Sequence, residues 1–286
     1  MIPAGVTRAR VCASRVCAST LLVAATLLSQ QVIAAGARAC HAASGAATRP
    51  LVELYTSEGC SDCPPADRWL ASTFREAATP PDVARPAPTS GAVAIALHVD
   101  YWDRLGWADR FATHTNTLRQ YAAMRGDGAS FVYTPQVLLQ GHNFPDWSGA
   151  GMQAAIAAAA GRPARATLSL DASLAGGRVA VVAASQVVDP ALRNDVELHV
   201  AYVDSGLHSD IRAGENRGRR LTHDHVVRSL QSADTLDGNG GIHARLVFDR
   251  PSEAGTMPTI VAFLQRISNR DVLQALSLPL AACGSP

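Results

Sequence analysis

The stretch Leu51–Leu70 reads LVELYTSEGCSDCPPADRWL, and the interpretation of the whole chain starts from it. Its first five residues, Leu51–Tyr55, predict a short buried strand, and a turn through Gly59 follows. A helix then opens with two cysteines, Cys60 and Cys63, and two prolines. Because residues three apart share a face in the first helical turn, we expect the two sulfur atoms to meet there. A strand followed by C-x-x-C at a helix start is typical of a redox site.

Cys60 is the candidate attacking sulfur of thiol–disulfide exchange, because we expect it at the exposed edge of the helix. Cys63, one turn further in and harder to reach, is the candidate resolving sulfur. Unpaired N–H groups and the positive dipole end of a helix start favour a thiolate over a thiol. Two carboxylates, Glu58 and Asp62, oppose this effect, because a nearby negative charge raises the pKa of a thiol. We therefore expect a reducing rather than a strongly oxidising pair.

Two other interpretations of the cysteines stay open. One is a permanently closed structural disulfide, which an exported chain would tolerate well. The other is a metal site, in which His98 would join the two thiolates around copper(I). A tetrahedral zinc site would need two further ligands, and the sequence has no second C-x-x-C. The interpretation that we carry forward contains no metal and no cofactor.

Composition excludes several classes of function. The chain has 286 residues and a formal net charge of +1, so no electrostatic argument favours a nucleic acid or an acidic membrane surface as partner. All 25 basic residues are arginine. The absence of lysine excludes a Schiff-base lysine, a P-loop lysine and a lysine general base.

Residues 1–39 are predicted to be a secretory signal peptide. Arginines precede the apolar run Ala18–Leu28, and small residues with A-x-A spacing follow it. An uncleaved anchor is the alternative. We expect a periplasmic or secreted protein with no membrane contact beyond this export signal.

Export would leave four cysteines in an oxidising compartment. Cys40 and Cys283 stand near opposite ends of the mature chain, and neither has a cysteine close to it in sequence. Even pairing in an exported protein favours a Cys40–Cys283 disulfide that ties both ends to the body of the protein.

Hydrophobic periodicity divides the chain into two predicted domains. Residues 48–162 read β-α-β-α-β-(β)-α, an α/β layer pattern with the cysteines at the first strand–helix junction. Residues 163–286 alternate polar and apolar side chains in several segments without a convincing helix between them. That pattern predicts an antiparallel β-sandwich domain.

Four motifs resemble those of a known family, the secreted DUF1223 proteins. They are ELYTSEGCSDCPPAD, ALHVDYWDRLGW, VYTPQ and GENRGRRLTHDHVVR, and they occur in this order between about Leu51 and Leu280. The C-terminal HDHVVR is also similar to a motif of bacterial Omp28-type proteins. The resemblance implies an α/β thioredoxin-like domain around the cysteines, followed by the β-sandwich, and it implies no particular substrate.

By the same resemblance, Thr134 and Pro135 are the candidate substrate-binding residues. In thioredoxin-like proteins a cis proline faces the C-x-x-C pair, and the residue before it offers backbone groups to a bound peptide. We therefore predict a cis Thr134–Pro135 bond, although an X–Pro bond is more often trans.

Two further polar segments carry candidate chemistry. His98 and Asp100 follow a core strand, at the sheet end where the cysteines are expected, so either could carry a proton for Cys63. In Gly214–Arg228, His223 and His225 would share a face if that piece is extended. The segment is either a metal-binding loop or, more simply, a polar network that locks the two domains together.

Together these features predict an exported thiol–disulfide oxidoreductase that acts on thiols or disulfides of a protein partner. The alternative is a non-catalytic binding protein, either a copper-handling module or a surface interaction module with a structural disulfide.

Overall fold

The computed structural model describes residues 38–74, 91–233 and 240–284. Nearly all of the predicted signal peptide lies outside the described residues, and its last two positions belong to the first strand. Residues Ala37–Pro286 form one compact unit. Within the described ranges, no helix is both long enough and apolar enough to cross a membrane.

Strands dominate the structure. The strands are β1 (Arg38–Ala43), β2 (Leu51–Thr56), β3 (Val93–His98), β4 (Gln136–Leu139), β5 (His142–Asn143), β6 (Ala166–Ala175), β7 (Arg178–Val187), β8 (Val196–Asp204), β9 (Leu207–Asp210), β10 (Arg220–His223), β11 (Val226–Ala233), β12 (Gly241–Asp249), β13 (Thr259–Arg266) and β14 (Val272–Pro279). The α-helices are α1 (Pro64–Thr73), α2 (His114–Gly126) and α3 (Ala150–Ala160). A 3₁₀ helix, Asp100–Leu105, follows β3.

The strands form three sheets. The longest is an eight-stranded mixed sheet with the order β14-β13-β8-β11-β3-β2-β4-β5. A four-stranded sheet has the order β1-β6-β7-β12, and β9 pairs with β10 in a separate two-stranded sheet. All pairs are antiparallel except β2 with β3 and β3 with β11.

Local sequence signals predict the elements of the first half well. Prolines fill the first positions of α1, where their fixed φ suits a helix and their missing N–H has no partner to lose. The hydroxyl of Thr113 accepts a hydrogen bond from the Asn116 backbone N–H and caps α2. The alanine-rich α3 ends at Gly161, as expected from its sequence.

The predicted fold class, an α/β thioredoxin-like domain followed by an antiparallel β-sandwich domain, is wrong. Strands from both sides of the predicted boundary at 162/163 share the eight-stranded sheet, and the described residues hold fourteen strands against three α-helices. The physical reason is the position of β11. It pairs with β3 on one side and β8 on the other, so the sheet that begins at β2 continues into the second half.

The long sheet is covered on both faces. In β2, Leu51 and Tyr55 point to the same apolar cluster as residues of α2, β3, β8 and β13. Val52 and Leu54 point to the opposite face, where α1 and α3 cover them. Towards β14, that opposite face packs against the four-stranded sheet. Strands covered on both faces explain why β2 and β3 read as continuous apolar runs.

The predicted Cys40–Cys283 disulfide is confirmed. It joins β1 to the short 3₁₀ helix after β14, and the two Cα atoms lie 4.4 Å apart. The bond closes a loop with a sequence separation of 243 residues. In the chain-entropy model a loop of that length contributes on the order of 5 kcal/mol to the free energy of unfolding.

A buried ion pair links α2 to the long sheet. Glu53 of β2 is fully buried and accepts a 2.8 Å hydrogen bond from Nε of Arg119. The Arg119 guanidinium also donates to the Gln265 side chain at 3.0 Å and lies 4.8 Å from the Phe263 ring centroid. Because Gln265 and Phe263 belong to β13, one arginine connects two strands of the sheet, β2 and β13, that three other strands separate.

Replacing Arg119 with Met should destabilise the protein by about 3–5 kcal/mol, because the Glu53 charge would stay buried without its partner. The measurement is the free energy of urea unfolding with both disulfides intact. Arg178→Met is the matched control, since its pair with Asp249 is exposed to solvent, and it should cost less than about 1 kcal/mol. Equal costs for the two variants would contradict the structural role of the buried pair.

A second charged cluster ties the end of α2 to the β13–β14 turn. The His142 ring bonds to Asp127 through Nδ1 and to Asp271 through Nε2, both at 2.7 Å. Burial acts against the charged ring, but the hydrogen bonds that the ring donates to the two carboxylates dominate and raise the pKa of His142. Burial likewise opposes the charge of Asp271, yet the contact with His142 lowers its pKa.

The stabilisation from His142 should depend on pH. A raised folded-state pKa means that the contribution is complete below the unfolded value of about 6.5 and disappears as pH rises through the folded value. The Asp271 contribution is present above about pH 3.9 and disappears as pH falls through the lowered folded value. His142→Gln should therefore lower the free energy of unfolding more at pH 5.5 than at pH 9. A loss that is larger at pH 9 would contradict this assignment.

Candidate functional site

Cys60 and Cys63 form a disulfide at the start of α1. Strand β2 ends at Thr56, a turn follows, and the two Cα atoms lie 5.4 Å apart. Cys63 is the N-cap residue of the helix, and its carbonyl accepts the first helical hydrogen bonds. Both cysteines are buried, with exposed fractions of 1% for Cys60 and 0% for Cys63. We expected Cys60 at an exposed edge of the helix, and that expectation is wrong.

The helix start offers fewer free donors than the sequence pattern suggests. Its first two residues, Pro64 and Pro65, have no backbone N–H. The next two N–H groups, of Ala66 and Asp67, both donate to the Cys63 carbonyl. What remains to stabilise a thiolate at this position is the positive end of the helix dipole.

Glu58, two residues before Cys60, is fully buried beside an indole donor and a histidine ring. Its carboxylate accepts a 2.7 Å hydrogen bond from Nε1 of Trp107, and its Oε1 lies 3.2 Å from Nε2 of His223. Burial acts against the charge, but the contacts with His223, Ser209 and Trp107 hold the pKa of Glu58 below its ordinary value. Asp62, by contrast, is exposed to solvent, where water and salt screen its charge.

His98 is paired with Asp109 beneath the same turn. Nδ1 of His98 lies 2.6 Å from Asp109, and both residues are buried. Burial opposes the charged imidazole, but the Asp109 carboxylate beside it raises the pKa of His98. Asp109 also accepts from the backbone N–H of Glu58 at 2.8 Å and of Phe111 at 2.9 Å. The pair is thereby bonded to the turn that carries Cys60.

Three ionisable side chains from separate elements converge behind the disulfide. The His98 and His223 rings are 5.1 Å apart, and both contact Phe111 edge-on. Within the described residues, Nε2 of His98 and Nδ1 of His223 have no hydrogen-bond partner. Asp67 lies one turn into α1. Burial raises the pKa of its carboxyl, although charge on the nearby His223 and His98 rings acts in the opposite direction. The two histidine rings are buried and Asp67 is half-buried, so the cluster connects the interior behind the turn to the solvent at α1.

The loop between β9 and β10 lies over the cysteine turn. The Asn216 side chain is fully buried and donates to the backbone carbonyls of Glu58 at 2.9 Å and of Cys60 at 2.8 Å. The Glu215 carboxylate accepts a 3.1 Å hydrogen bond from the Ser61 backbone N–H. The polar network predicted for Gly214–Arg228 is confirmed, because these bonds join residues about 155 positions apart.

His223 and His225 do not continue as one extended strand. Strand β10 ends at His223, and His225 has a φ of 59°, in the left-handed region. The geometry required for a shared face is therefore not met. Among the described residues, no group of three or more His, Cys, Asp or Glu side chains is arranged to hold a metal ion.

The Thr134–Pro135 peptide bond is cis, as predicted. Thr134 reaches the cysteine turn through one intermediate residue. Its hydroxyl accepts a 2.7 Å hydrogen bond from Nε1 of Trp102, and a Cβ atom added at Gly59 would lie 3.1 Å from Cβ of Trp102. Both Thr134 and Pro135 are half-buried, so part of each faces solvent.

Asp100 belongs to a different set of contacts from His98. Its carboxylate accepts a hydrogen bond from the Thr117 hydroxyl at 2.5 Å and lies 3.0 Å from Nδ1 of His114. Partial burial opposes its charge, but the contacts with Thr117 and His114 lower the pKa of Asp100. These contacts tie the 3₁₀ helix to α2, and none of them leads to the cysteines.

Sequence reasoning missed several residues that the structure brings to the disulfide. Asp67 and Asp109 lay near predicted site residues, and their acidic groups in short, polar runs were the available signal. Glu215 and Asn216 were noticed only as members of a polar segment. Nothing in the sequence around Cys60 indicates that the side-chain amide of Asn216, 156 residues away, will donate to the Cys60 carbonyl.

With the geometry established, comparison with known proteins gives the family. The profile described as "Protein of unknown function (DUF1223)" matches residues 51–265, so the chain belongs to the DUF1223 family. Among curated proteins, no match was found.

Two solved structures share the fold. Protein AGR_C_4864 from Agrobacterium tumefaciens is 24% identical with a TM-score of 0.54, and the alignment covers 82% of this chain and 96% of that one. HBP35 of Porphyromonas gingivalis is 14% identical with a TM-score of 0.58, covering 82% of this chain and 76% of that one. At these identities the likeness concerns the fold alone.

Replacing Asp109 with Asn should lower the pKa of His98 below the ordinary value of about 6.5. The variant keeps the burial that opposes the imidazolium and removes the carboxylate that overcomes it. The measurement is an NMR titration of the His98 ring in the folded protein. The His142 ring in the same spectra is the internal control and should titrate alike in both proteins, because its partners are Asp127 and Asp271. An unchanged His98 titration in Asp109→Asn would contradict the pairing.

Proposed function

We propose that the protein is an exported thiol–disulfide oxidoreductase that exchanges its Cys60–Cys63 disulfide with thiols of a protein partner. The observation that carries the proposal is the convergence of three ionisable groups, the buried His98 and His223 and the half-buried Asp67, beside the turn and helix start that hold a C-x-x-C disulfide. A buried group with a shifted pKa beside a specific charge partner, as His98 has in Asp109, is typical of functional sites.

The energetics of chain closure favour a reactive pair over a structural one. In the chain-entropy model, the contribution of a disulfide to stability rises with the logarithm of the number of residues in the loop that it closes. Cys60 and Cys63 are three residues apart, which corresponds to on the order of 2 kcal/mol, against on the order of 5 kcal/mol for Cys40–Cys283. The short disulfide spans a turn that the backbone already closes, because the Cys63 N–H donates to the Cys60 carbonyl.

The exchange step uses only the disulfide and a partner dithiol. A partner thiolate attacks Sγ of Cys60, a bond forms between these two sulfurs, and the Cys60–Cys63 bond breaks. Cys63 leaves as a thiolate and takes up a proton. The second partner thiol then loses its proton, attacks the partner's own sulfur in the mixed disulfide and releases Cys60. The partner dithiol is oxidised to a disulfide, and the Cys60–Cys63 pair is reduced; the reverse sequence reduces a partner disulfide.

His98 is the better candidate proton carrier of the two that we predicted. Its Asp109 partner is bonded to the backbone of Glu58, two residues before Cys60, whereas the contacts of Asp100 lead to Thr117 and His114. The raised pKa favours the protonated form of His98, and a protonated imidazole can deliver its proton to a leaving thiolate.

The partner would lie against Thr134 and Pro135. These two residues are partly exposed, and Trp102 connects them to the cysteine turn. A protein partner in an extended conformation could pair with the Thr134 backbone while its thiol approaches Cys60. The two disulfides support a location outside the reducing cytosol, in the periplasm or beyond the cell.

The test is a redox titration of the folded protein, with each cysteine quantified by alkylation and peptide mass spectrometry. Cys60–Cys63 should equilibrate with a midpoint between about −120 and −270 mV, the range of known exchangers. The Cys40–Cys283 bond in the same sample is the internal control and should stay oxidised to about −300 mV or lower, as a structural disulfide does.

A second readout identifies the partner. The Cys63→Ser variant, expressed in cells, should accumulate a mixed disulfide through Cys60, because the resolving sulfur is absent. A Cys60–Cys63 midpoint below about −300 mV, together with no captured species, would contradict the proposal and favour the structural-disulfide alternative.

A further inference from the structure

The buried state of the disulfide raises the question of how a partner thiol reaches it. Direct exchange requires a sulfur on the partner to approach Cys60 along the disulfide axis. Cys60 is only 1% exposed and Cys63 is fully buried. Something that now covers the pair must therefore move before the proposed exchange can occur.

The segment Gly214–Arg219, which we name the cover loop, holds itself together by its own backbone hydrogen bonds. The Arg217 N–H donates to the Gly214 carbonyl, and the Arg219 N–H donates to the Asn216 carbonyl. The C-terminal end of the loop is bonded to Ile211, whose carbonyl accepts from the Gly218 N–H and whose N–H donates to the Arg219 carbonyl. The loop connects β9 to β10, which pair only with each other among the described strands. Strand β10 packs against α1, which fixes the hairpin, so the part that can move is the loop between its two strands.

Contacts between the cover loop and the cysteine turn are few and polar. Asn216 is the one residue of the loop that is fully buried; its amide spans the carbonyls of Glu58 and Cys60. The Arg219 guanidinium donates to the Asn216 side-chain oxygen at 2.9 Å and fixes the orientation of that amide. Glu215 adds one bond, to the Ser61 N–H. Water can replace each of these bonds when the loop lifts.

The glycines at either side of Asn216 suit a moving segment. Gly214 has a φ of 69° and Gly218 a φ of 83°, both in the left-handed region that other residues rarely adopt. The side chains of Glu215, Arg217 and Arg219 are already exposed to solvent. Lifting the loop therefore withdraws one buried polar side chain and no buried apolar one.

We propose that the cover loop shields the Cys60–Cys63 disulfide and that Asn216 is the latch that keeps it closed. The inference rests on the proposed exchange function and adds its regulation. Contact with a partner at the exposed face of the loop would open it, so that the disulfide reacts in the complex and stays protected from stray thiols. The same carbonyls that Asn216 now binds would then be free to accept from the partner's backbone.

The experiment compares the rate at which dithiothreitol reduces Cys60–Cys63 in the folded protein. Asn216→Ala should be reduced roughly tenfold faster than the wild type or more, because it loses both bonds to the turn. Glu215→Gln removes only the carboxylate charge at an exposed position and should be accelerated about threefold. The matched control is Arg217→Ala, which lies on the same loop with its side chain in solvent and should stay within about twofold of the wild type.

Two further measurements separate the possible outcomes. Urea unfolding of each variant shows whether a faster reduction reflects an open loop or a less stable protein, and the acceleration should persist where the unfolding midpoint is unchanged. The equilibrium midpoint potential tests the exchange function itself. Wild-type rates in both Asn216→Ala and Glu215→Gln, with a midpoint inside the exchange range, would overturn the cover loop but leave the exchange function standing.

Discussion

The parallel pairing of β11 with β3 is the constraint on which the rest of the structure depends. The Ala96 N–H donates to the His225 carbonyl at 2.7 Å, and Val226 lies opposite Ala96 in register. This contact joins strands about 130 residues apart into one sheet. It also fixes where the hairpin of β9 and β10 lies, because that hairpin immediately precedes β11.

The chemistry at the cysteine turn follows from this placement. Glu58 and the His98–Asp109 pair come from the first half of the chain, whereas His223 and Asn216 come from the second. A buried carboxylate is tolerated only with compensating donors. Trp107 from the first half donates to the Glu58 carboxylate, and His223 from the second half contacts it. Because Glu58 needs partners from both halves, the folding of the site depends on the docking of the second half. The Arg119 contacts with β2 and β13 make the same connection on the other face.

The sequence predicted what depends on neighbouring residues. Strand β2, helix α1, the cis Thr134–Pro135 bond and the Cys40–Cys283 disulfide all carried a local or compositional signal, and all four are present. The fold class was wrong because it depended on which strand sits beside β3. A buried, apolar strand has two edges, and its side chains do not specify a neighbour so far along the chain. Burial of Cys60 was missed for the same reason. Asn216 donates to backbone carbonyls of the turn, and backbone carbonyls carry no sequence signal in the cysteine motif.

One backbone amide reports most directly on the docking of the second half over the disulfide. The Ser61 side chain is exposed to solvent, but its N–H donates to Glu215 across the cover loop. Hydrogen exchange of this amide in the oxidised protein, followed by NMR, should be slower than the rate for an unprotected chain by about tenfold or more. Exchange at the unprotected rate would contradict the docked loop and, with it, the account of a covered, latched disulfide.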